Sequence, residues 1–428
     1  MIDFSVPENI QAQTQMTKMV AEQVMRPKAR YLDEHEHERP TDYVKVMWPV
    51  VADQQKAALE KERRKAEALA RGEKPDEKEK KGPGIAMLRT LYLVEQLAWG
   101  DVAQYLSTPA AALGGTAVEA VGTLEQKERL LSRFADSKGK PVWGAMAMTE
   151  PGAGSDTSAI QTTAMLDKNT NEWVINGEKI FCTSGGLALN ESNGFVVVWA
   201  TIDRSAGRAG MKPFVVEAGT PGVEVTKAEL KHGIRASDTV SIAFKDARIP
   251  YDNILGSPEV RQSDDANVKG FKGAMKTFDA SRPVVAASAL GVARAALELT
   301  KEKLAEAGIA IRYDAPPHAV TAVERDIIEM EGELKACWLL TLRAGSLMDH
   351  GEPNALESSM CKAKSGQTGT RICQKCVEIL GPMGYSRDWL VEKLMRDSKI
   401  ADIYEGTHEI NLLIVARRIL GYSSSELR

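Results

Sequence analysis

The sequence predicts an α+β protein in which a middle β-domain, a barrel or sandwich, separates an N-terminal helical domain from a C-terminal four-helix bundle. Three observations support this fold class. Apolar residues have helical spacing up to about residue 138, short β-rich runs follow up to about 260, and long capped helical segments come after about 265. A chain of 428 residues is too long for one small core. We therefore expect domains at residues 1–140, 141–262 and 263–428.

The N-terminal domain is predicted to be helical because apolar residues recur three and four positions apart in two segments, 14–35 and 84–107. Between them lies a charged stretch, residues 56–84. Its first half has helix-forming residues with opposite charges four positions apart, and its second half is rich in charge and glycine and should be mobile. We predict a solvated connector there. The alternative is a segment that contacts a partner or covers a pocket.

Seven short β-rich runs follow the helical domain, separated by Gly, Pro, Asn and Asp. They are residues 143–148, 160–166, 172–181, 194–202, 211–218, 223–230 and 240–249. Runs of this length, at this spacing, are typical of an all-β barrel or sandwich.

The C-terminal part has four helical segments joined by short links, a pattern that favours an antiparallel bundle. The segments are 281–308, 321–351, 354–381 and a last one that carries 410–420. Pro283 lies near the start of the first segment, where proline is tolerated, so we expect the helix to begin there. Thr321 and Glu324 form a capping-box pair that should begin the second segment.

Composition excludes several classes of protein. The net charge of −4 offers no basic surface for nucleic acid, and apolar runs such as 195–200 are too short to span a membrane. The N-terminus lacks the pattern of a secretory signal. Five cysteines in this length fit a reducing compartment better than a disulfide framework. We expect a soluble cytoplasmic protein without a membrane span.

The segment AMTEPGAGSD, residues 147–156, is the first candidate for a binding site. It reads as a strand that enters a Gly/Ala/Ser turn, where backbone N–H groups can approach a phosphate or a ring edge closely. It lacks the strand–turn–helix context of a dinucleotide fingerprint, and it is not a P-loop. Taken alone, a glycine-rich segment of this kind is more often an ordinary β-turn than a binding site.

Five further blocks follow the glycine-rich turn in a fixed order. They are residues 176–186, 231–239, 278–287, 380–397 and 399–420. Together the six blocks resemble the acyl-CoA dehydrogenase family, over roughly residues 90–428. The resemblance implies a flavoprotein with FAD between the β-domain and the bundle, assembled as a dimer of dimers. It also implies an enzyme that converts an acyl-CoA to a trans-2-enoyl-CoA and passes electrons to an electron-transfer flavoprotein.

The resemblance also implies roles for residues of the β-domain. Met148 and Thr149 correspond to the partners of the isoalloxazine pyrimidine edge. Ser155 corresponds to a residue near the FAD pyrophosphate and the thioester ligand. Phe181 takes the place of an aromatic residue that flanks the flavin, and Thr183 that of a hydroxyl donor to flavin N5. A donor at N5 would stabilise the reduced flavin electrostatically.

Further FAD contacts are implied at the C-terminal part of the chain. They are Arg312, Glu378, Gly381, Thr407 and Glu409, the last two beside the adenosine. The segment around Arg312 departs from the pattern of many relatives, an Arg-x-x-Phe-Gly followed by a Gln that reach the FAD of the neighbouring subunit. Here Tyr313, Asp314 and Thr321 stand at the Phe, Gly and Gln positions, and Ala310 stands at the Arg position unless Arg312 serves instead. The contact between subunits is therefore open.

The loop IYEGTHE, residues 403–409, matches the catalytic loop of the family. Glu405 then corresponds to the base that takes the pro-R α-proton while the β-hydride moves to flavin N5. Tyr404 and Gly406 are assigned to the substrate side, with Gly406 leaving room for the acyl chain. A carboxylate is a suitable base here only if a desolvated pocket raises its pKa.

A second position for the base exists in the family, directly before the arginine that corresponds to Arg282. That position holds Ser281 here, and serine cannot act as the base, so the resemblance favours Glu405. Asp279 is a lesser alternative that should face elsewhere on its helix. Arg282 corresponds to a buried arginine that supports the catalytic loop, and we place Asp279 and Arg282 on the substrate side together with Ser155.

Other readings remain open. Cys373 and Cys376 lie one helical turn apart without a second pair, so a metal site is not expected. The enzyme could instead be an acyl-CoA oxidase that uses O2, or the chain could be a non-catalytic relative that serves as an interaction scaffold. The sequence does not indicate the length, branching or ring content of the acyl group.

Overall fold

The computed structural model describes residues 6–72, 84–260, 268–422 and 426. Within these residues, helices come first, seven strands follow between Gly144 and Pro250, and helices return from Val268 onward. This order confirms the predicted fold class.

The N-terminal part is built from helices. They are α1 (Glu8–Val20), α2 (Ala29–Glu34), α3 (Thr41–Ala70), α4 (Ala86–Tyr105), α5 (Ala112–Val121) and α6 (Leu124–Leu131). Helix α3 includes the first half of the charged stretch 56–84, as its helix-forming residues predict. Arg63 on this helix donates to Glu128 on α6 at 2.7 Å, so that half is tied to the domain. The second half, residues 73–83, lies outside the described residues.

The middle part is one curled sheet of seven strands. They are β1 (Gly144–Ala147), β2 (Thr163–Asp167), β3 (Glu172–Thr183), β4 (Phe195–Thr201), β5 (Met211–Glu217), β6 (Val223–Ala228) and β7 (Thr239–Pro250). The strand order is β1-β4-β2-β3-β7-β6, and β5 pairs with β4. Every residue of β4 is buried, so this strand lies in the core. Each of the seven predicted β-runs forms a strand.

Strand β3 is irregular near its end. Its antiparallel register with β7 shifts between Lys179 and Cys182, and Phe181 has a positive φ of 56°. A bulge of this kind re-aims the side chains that follow it. Phe181 and Thr183 are exposed, whereas Cys182 between them is buried.

The C-terminal part is a bundle of long helices. They are α7 (Val268–Glu306), α8 (Ala322–Asp349), α9 (Ala355–Tyr385), α10 (Val391–Ser398) and α11 (His408–Leu420). Helix α9 packs against the other four, and α4 of the N-terminal part packs along α7. The predicted capping box of Thr321 and Glu324 begins α8.

The prediction that α7 begins at Pro283 is wrong, because α7 starts at Val268 and continues through this proline. A proline inside a helix leaves the carbonyl four residues earlier without its N–H donor. Here that carbonyl belongs to Asp279, and α9 supplies the replacement. Ser358 Oγ donates to it at 2.7 Å and Asn354 Nδ2 at 3.2 Å. A tertiary contact thus makes the internal proline tolerable.

The part of α7 from Phe278 to Glu306 is apolar and long enough, by composition alone, to cross a membrane. This helix is longer than the apolar runs, such as 195–200, that argue against a membrane span in the sequence. However, 78% of the most apolar window of this helix is buried inside the protein. It is packed as the central helix of a core.

A buried ion cluster connects the three parts of the chain. Lys393 on α10 pairs with Asp101 on α4 and, at 2.6 Å, with Asp397. The Asp397 carboxylate also accepts a hydrogen bond from the backbone N–H of Ile234, in the link between β6 and β7, at 2.6 Å. Removing one member of a buried ion cluster leaves an uncompensated charge, so these contacts depend on one another.

Candidate active site

The loop that carries Glu405 turns sharply between a 3₁₀ turn, Lys399–Asp402, and helix α11. Glu405 and Gly406 have positive φ values of 55° and 92°. Thr407 then caps α11, since its Oγ1 accepts from the N–H of Ile410 at 3.3 Å. A non-glycine residue in the left-handed region is uncommon and is held there by its surroundings. Glu405 therefore precedes the helix on a strained turn.

The Glu405 carboxylate has a direct partner on α7. Ser281 Oγ donates a hydrogen bond to Glu405 Oε2, and the same hydroxyl lies 3.3 Å from the carbonyl oxygen of Phe278. Ser281 occupies the alternative base position, which the sequence treats only as empty. In the structure, Ser281 at the alternative position contacts the carboxylate of Glu405 in the catalytic loop.

The environment of Glu405 favours its neutral form. Burial raises the pKa of this carboxyl above its ordinary value, while the Ser281 hydrogen bond and the charges of Arg282 and Lys362 oppose that rise. The result is a raised pKa, the direction that suits a carboxylate which must accept and hold a proton.

Arg282 lies buried beneath the loop. Its Nη1 donates to Asp279 Oδ1 at 2.9 Å, and Ser359 Oγ is 3.4 Å away. A Cβ added at Gly406 would lie 4.0 Å from Arg282 Nη2, so the guanidinium borders the loop backbone. Asp279 is thus an ion-pair partner of Arg282.

The side chain of Tyr404 is also held by α7. Its hydroxyl forms a hydrogen bond with the side chain of Ser288, and burial raises the pKa of Tyr404 to about 12. Ser281 and Ser288 are seven residues apart and so lie on the same face of α7. One face of this helix therefore binds both side chains of the Tyr404–Glu405 pair.

Helix α9 holds the same loop from another side. Lys362 is only 1% exposed. Its ammonium donates to the carbonyl oxygen of Gly406. Asn411 Nδ2 donates to the same oxygen at 2.9 Å. Two buried donors therefore meet at the peptide that follows Glu405.

The glycine-rich turn of the β-domain is narrow and open to solvent. Glu150 and Ala153 exchange backbone hydrogen bonds of 3.2 and 3.0 Å across it. A Cβ added at Gly152 or Gly154 would meet nothing within 4 Å. The carboxylate of Glu150 accepts from the N–H groups of the segment 161–162, at 2.6 and 3.0 Å. The Glu150 carboxylate therefore fixes the turn on its buried side, and the exposed side of the turn is open to a ligand.

A buried lysine connects this turn to strand β3. Lys179 is fully buried, and its Nζ donates to the carbonyl of Met148 at 2.9 Å and to Glu150 Oε1 at 2.8 Å. Burial lowers the pKa of Lys179 to about 8. The N–H of Ile180 also donates to the carbonyl of Thr149 at 2.9 Å. Met148 and Thr149 thus lie beside the part of β3 that carries Phe181 and Thr183.

The β-domain residues and the catalytic loop meet at one place. Phe278 on α7 packs against a buried cluster formed by Met148, Ala153, Ile160, Trp199 and Met211. Ser281 follows Phe278 by one helical turn and binds Glu405. We call this region, residues 148–155, 181–183, 278–282 and 404–409, the catalytic end of the molecule.

The other predicted FAD contacts lie at the opposite end of the bundle, which we call the distal end. Arg312 forms a two-point ion pair with Glu324 at the start of α8, both distances being 2.6 Å. Asp326, on the same turn of α8, lies 3.6 Å from Lys375, which pairs with Glu378 at 2.9 Å. Arg312 and Glu378 therefore both lie near the start of α8.

The distance between the two ends follows from helix geometry. Lys362 contacts the catalytic loop, and Glu378 lies sixteen residues further along α9 (378 − 362 = 16), or about 24 Å at 1.5 Å per residue. Gly381 follows, with a φ of 57° and a ψ of −133° that interrupt α9 where its end was predicted. Within one chain, the structure separates Arg312, Glu378 and Gly381 from Glu405.

Comparison with known proteins supports one family. Residues 145–247 match the acyl-CoA dehydrogenase middle domain, and residues 268–420 match the C-terminal domain. The mitochondrial short-chain specific acyl-CoA dehydrogenase of Rattus norvegicus is 33% identical over 417 residues, which cover 97% of this chain and 91% of the relative. The chain belongs to the acyl-CoA dehydrogenase family.

Two further proteins are similar to this acyl-CoA dehydrogenase. The acryloyl-CoA reductase (NADH) of Anaerotignum propionicum is 38% identical over 304 residues, 71% of this chain and 72% of the relative. The butyryl-CoA dehydrogenase of Megasphaera elsdenii has a solved structure with a TM-score of 0.80 and 28% identity, covering 98% of this chain and all of the other. The chain is therefore a flavoprotein oxidoreductase that acts on acyl-CoA.

The catalytic end of the enzyme fits a flavin. Phe181 is 60% exposed on the bulge of β3, and Thr183 is exposed on the same face, next to the open glycine turn. Trp199 Nε1, buried behind Met148, has no hydrogen-bond partner among the described residues. An exposed aromatic ring, a hydroxyl and a small-residue turn are what a planar cofactor with a phosphate tail requires.

The cysteines of this acyl-CoA dehydrogenase are all free and buried. Cys373 and Cys376 lie in the core of the bundle on α9, where burial raises the pKa of both thiols. Among the described residues, no group of three His, Cys, Asp or Glu side chains could hold a metal ion.

The sequence does not single out three residues that hold the catalytic end, Glu150, Lys179 and Lys362, and it does not predict that Ser281 contacts Glu405. The two lysines had a detectable signal, because each is a charged residue at a position where the apolar pattern of its element predicts burial. The contacts of Glu150 and Ser281 had no such signal, because an acidic residue in a turn and a serine in a helix are common.

Proposed function

We propose that this enzyme oxidises a short-chain acyl-CoA to a trans-2-enoyl-CoA, with Glu405 as the base and FAD as the flavin. The flavin, when bound, supplies the acceptor at N5 for the hydride that leaves the β-carbon. The observation that carries the proposal is the raised pKa of Glu405 on a strained turn, with its carboxylate bound by Ser281 at the catalytic end. The short-chain assignment is supported by the relative named above as short-chain specific.

The proton is transferred from the α-carbon to Glu405. The Ser281 hydroxyl and the positive charges of Arg282 and Lys362 stabilise the ionised carboxylate that takes the proton, and burial stabilises the neutral acid that results. The Ser281 hydroxyl can then turn its hydrogen to the Phe278 carbonyl, 3.3 Å away, and accept from Glu405. Glu405 takes the proton from the α-carbon, and the electron pair of that C–H bond forms the C=C bond as the β-hydrogen leaves with its bonding pair. The bound flavin would supply the acceptor for that hydride.

The remaining residues of the catalytic end bind and orient. On the cofactor side we place Met148, Thr149, Ser155, Phe181, Thr183, Thr407 and Glu409, and on the substrate side Ser155, Asp279, Arg282, Tyr404 and Gly406. Lys179 fixes the backbone of Met148, and Ser288 fixes the side chain of Tyr404, in advance. Such preorganisation lowers the cost of aligning substrate and acceptor.

The proposal includes a second copy of the chain and an electron acceptor. Arg312, Glu378 and Gly381 lie about 24 Å or more along α9 and α7 from the catalytic end. We propose that they contact the FAD of a second copy, as the resemblance to the family implies, within a dimer of dimers. An electron-transfer flavoprotein is the acceptor that the same resemblance implies.

A second candidate is the reverse reaction, reduction of an enoyl-CoA. The observation that favours it is the 38% identity to a relative named acryloyl-CoA reductase (NADH). The same residues would serve, because Glu405 would then return its proton to the α-carbon. The rate of flavin reduction by an acyl-CoA, compared with the rate of NADH-dependent reduction of the enoyl-CoA of the same chain length, distinguishes the two candidates.

The variant Glu405→Gln tests the role of the base. It should keep the yellow flavin spectrum and lose anaerobic bleaching by butyryl-CoA by about 10²- to 10⁴-fold, the usual contribution of a general base. Stopped-flow absorbance measures the rate. Glu352→Gln, an exposed residue between α8 and α9, is the control and should behave as the wild type. Bleaching of Glu405→Gln at the wild-type rate would remove Glu405 from its proposed role.

A further inference from the structure

Lys362 is an ionisable group that the proposed reaction does not use as acid, base or ligand. It lies on the core face of α9, 1% exposed, and its ammonium donates to the Gly406 carbonyl oxygen. Burying an ammonium is costly unless it is paired and hydrogen-bonded. A buried lysine whose hydrogen bond is made to a loop backbone therefore suggests that the loop requires it.

The catalytic loop rests directly on this face of α9. A Cβ added at Gly366, one turn after Lys362, would lie 2.8 Å from the carbonyl oxygen of Ala401, so only glycine permits this approach. His408 Nδ1 lies 3.2 Å from the carbonyl oxygen of Ala363. The segment on both sides of Glu405 is thus fixed to α9.

The carbonyl that Lys362 holds directly follows a residue with a strained backbone. Glu405 has a φ of 55°, a conformation that a β-carbon disfavours, and Gly406 follows with a φ of 92°. The Gly406 carbonyl closes this turn, and it accepts from both Lys362 and Asn411. Without these donors the turn would be free to relax, and the carboxylate of Glu405 would move with it.

We propose that Lys362 is a positioning residue for proton abstraction: its ammonium holds the Gly406 carbonyl and so fixes the turn that aims the Glu405 carboxylate. This inference rests on the proposed function of Glu405 as the base. Asn411 supplies a second, neutral hydrogen bond to the same oxygen, so loss of Lys362 loosens the turn without releasing it.

Lys362 also acts on Glu405 through its charge. The charged groups around it are Asp402 before the loop, Glu405 within it, Glu409 on α11 and Arg282 on α7. Burial lowers the pKa of Lys362 to about 8, and at neutral pH it is mainly protonated. Its positive charge lowers the pKa of Glu405, so removing that charge raises this pKa and shifts the acid limb of the reaction to higher pH.

Two substitutions separate the hydrogen bond from the charge. Lys362→Met removes both, and Lys362→Gln removes the charge but keeps an N–H donor. We expect the rate of anaerobic flavin bleaching by butyryl-CoA to fall about ten- to hundredfold in Lys362→Met, the range of a lost charge-assisted hydrogen bond, and less in Lys362→Gln. In both variants the acid limb should move up by about one pH unit, a modest charge effect.

Hydrogen exchange of residues 403–411, followed by mass spectrometry, tests the positioning without any turnover. Exchange there should accelerate in Lys362→Met and stay close to the wild type in Lys362→Gln. Lys364→Met is the matched control, because Lys364 lies on the same helix but is exposed, and it should change neither rate nor exchange. If Lys362→Met does not fold, the Gln variant still reports the shift of the acid limb.

Failure of this inference differs from failure of the proposed function. If the wild type bleaches but both variants show the wild-type rate, acid limb and exchange, Lys362 has no positioning role and Glu405 keeps its own. If the wild type does not bleach with any acyl-CoA, the proposed function fails. In that case unchanged exchange in Lys362→Met would also overturn the positioning of the loop.

Discussion

At the scale of single residues, the hydrogen bond between Ser281 and Glu405 links the two positions at which the family carries its base. The sequence offers two positions for the base, and the structure places them in contact. A serine at one position then acts on the carboxylate at the other, since its hydrogen bond lowers the pKa of Glu405 against the effect of burial. The two positions therefore behave as one site.

The variant Ser281→Ala should raise the pKa of Glu405, because it removes the hydrogen bond that stabilises the ionised form. The acid limb of flavin bleaching should move to higher pH, and the rate at neutral pH should fall about tenfold to a hundredfold, the effect of losing a hydrogen bond to a charged group of about 1.5–3 kcal/mol. Ser281→Thr keeps the hydroxyl and should restore the wild-type profile. An unchanged pH profile in Ser281→Ala would show that the hydroxyl does not act on the base.

The sequence predicts Glu405 from the loop around it, but it does not predict this partner. Ser281 and Glu405 are 124 residues apart in the chain, and neither local spacing nor residue type connects them. The same holds for Lys362 and Gly406, 44 residues apart. The motif identifies the proposed base, and only the packing of the helices shows which residues hold it.

At the scale of elements, prediction succeeds where the local pattern decides the structure. All seven strands appear because alternation and turn residues mark each one. The start of α7 is missed because Pro283 is made compatible with the helix by Ser358 and Asn354 on another helix. The bulge at Phe181 is missed for a similar reason, since it depends on the register with β7.

The variant Gly366→Ala tests the close approach of α9 to the catalytic loop. Its Cβ would lie 2.8 Å from the Ala401 carbonyl oxygen, so backbone must move, at a cost of about 1–3 kcal/mol. We expect a lower Tm and slower flavin bleaching, because the displaced segment leads directly into Glu405. Both can be measured on the purified holoenzyme.

Gly332→Ala is the control for this variant. Gly332 lies inside α8, and a Cβ there would meet nothing within 4 Å. Alanine is the better helix former by about 0.5–1 kcal/mol, so Tm should stay or rise. If Gly366→Ala behaves like Gly332→Ala, the loop does not depend on this contact.

At the scale of the whole molecule, the predicted FAD contacts divide into two groups. The catalytic end and the distal end are both well ordered by internal contacts, yet they lie about 24 Å apart along α9. The sequence names both groups but cannot show their separation, because that depends on how long helices run side by side. A second copy of the chain is the simplest way for both groups to contact one FAD.

Mixed assemblies test this arrangement. One variant, Glu405→Gln, loses the base and keeps the distal end, and the other, Arg312→Ala with Glu378→Ala, keeps the base and loses the distal contacts. If one site draws on both chains, co-refolded or co-expressed hybrids should contain one complete site in each pair. Their bleaching should exceed that of the mixed parents several-fold, while each parent alone stays weak. Hybrids no more active than the mixed parents would place each site within one chain.

The buried cluster of Lys393, Asp101 and Asp397 has a consequence for how the chain is made. Asp101 and Lys393 are 292 residues apart in the chain. At about 5–20 residues per second, the ribosome therefore adds Lys393 roughly 15–60 s after Asp101. Until then the nearby cation for this carboxylate is Arg26, made earlier in the chain, and the ion pair with α10 cannot form. The packing of the first third of the nascent polypeptide is therefore completed only when the last tenth has been synthesised.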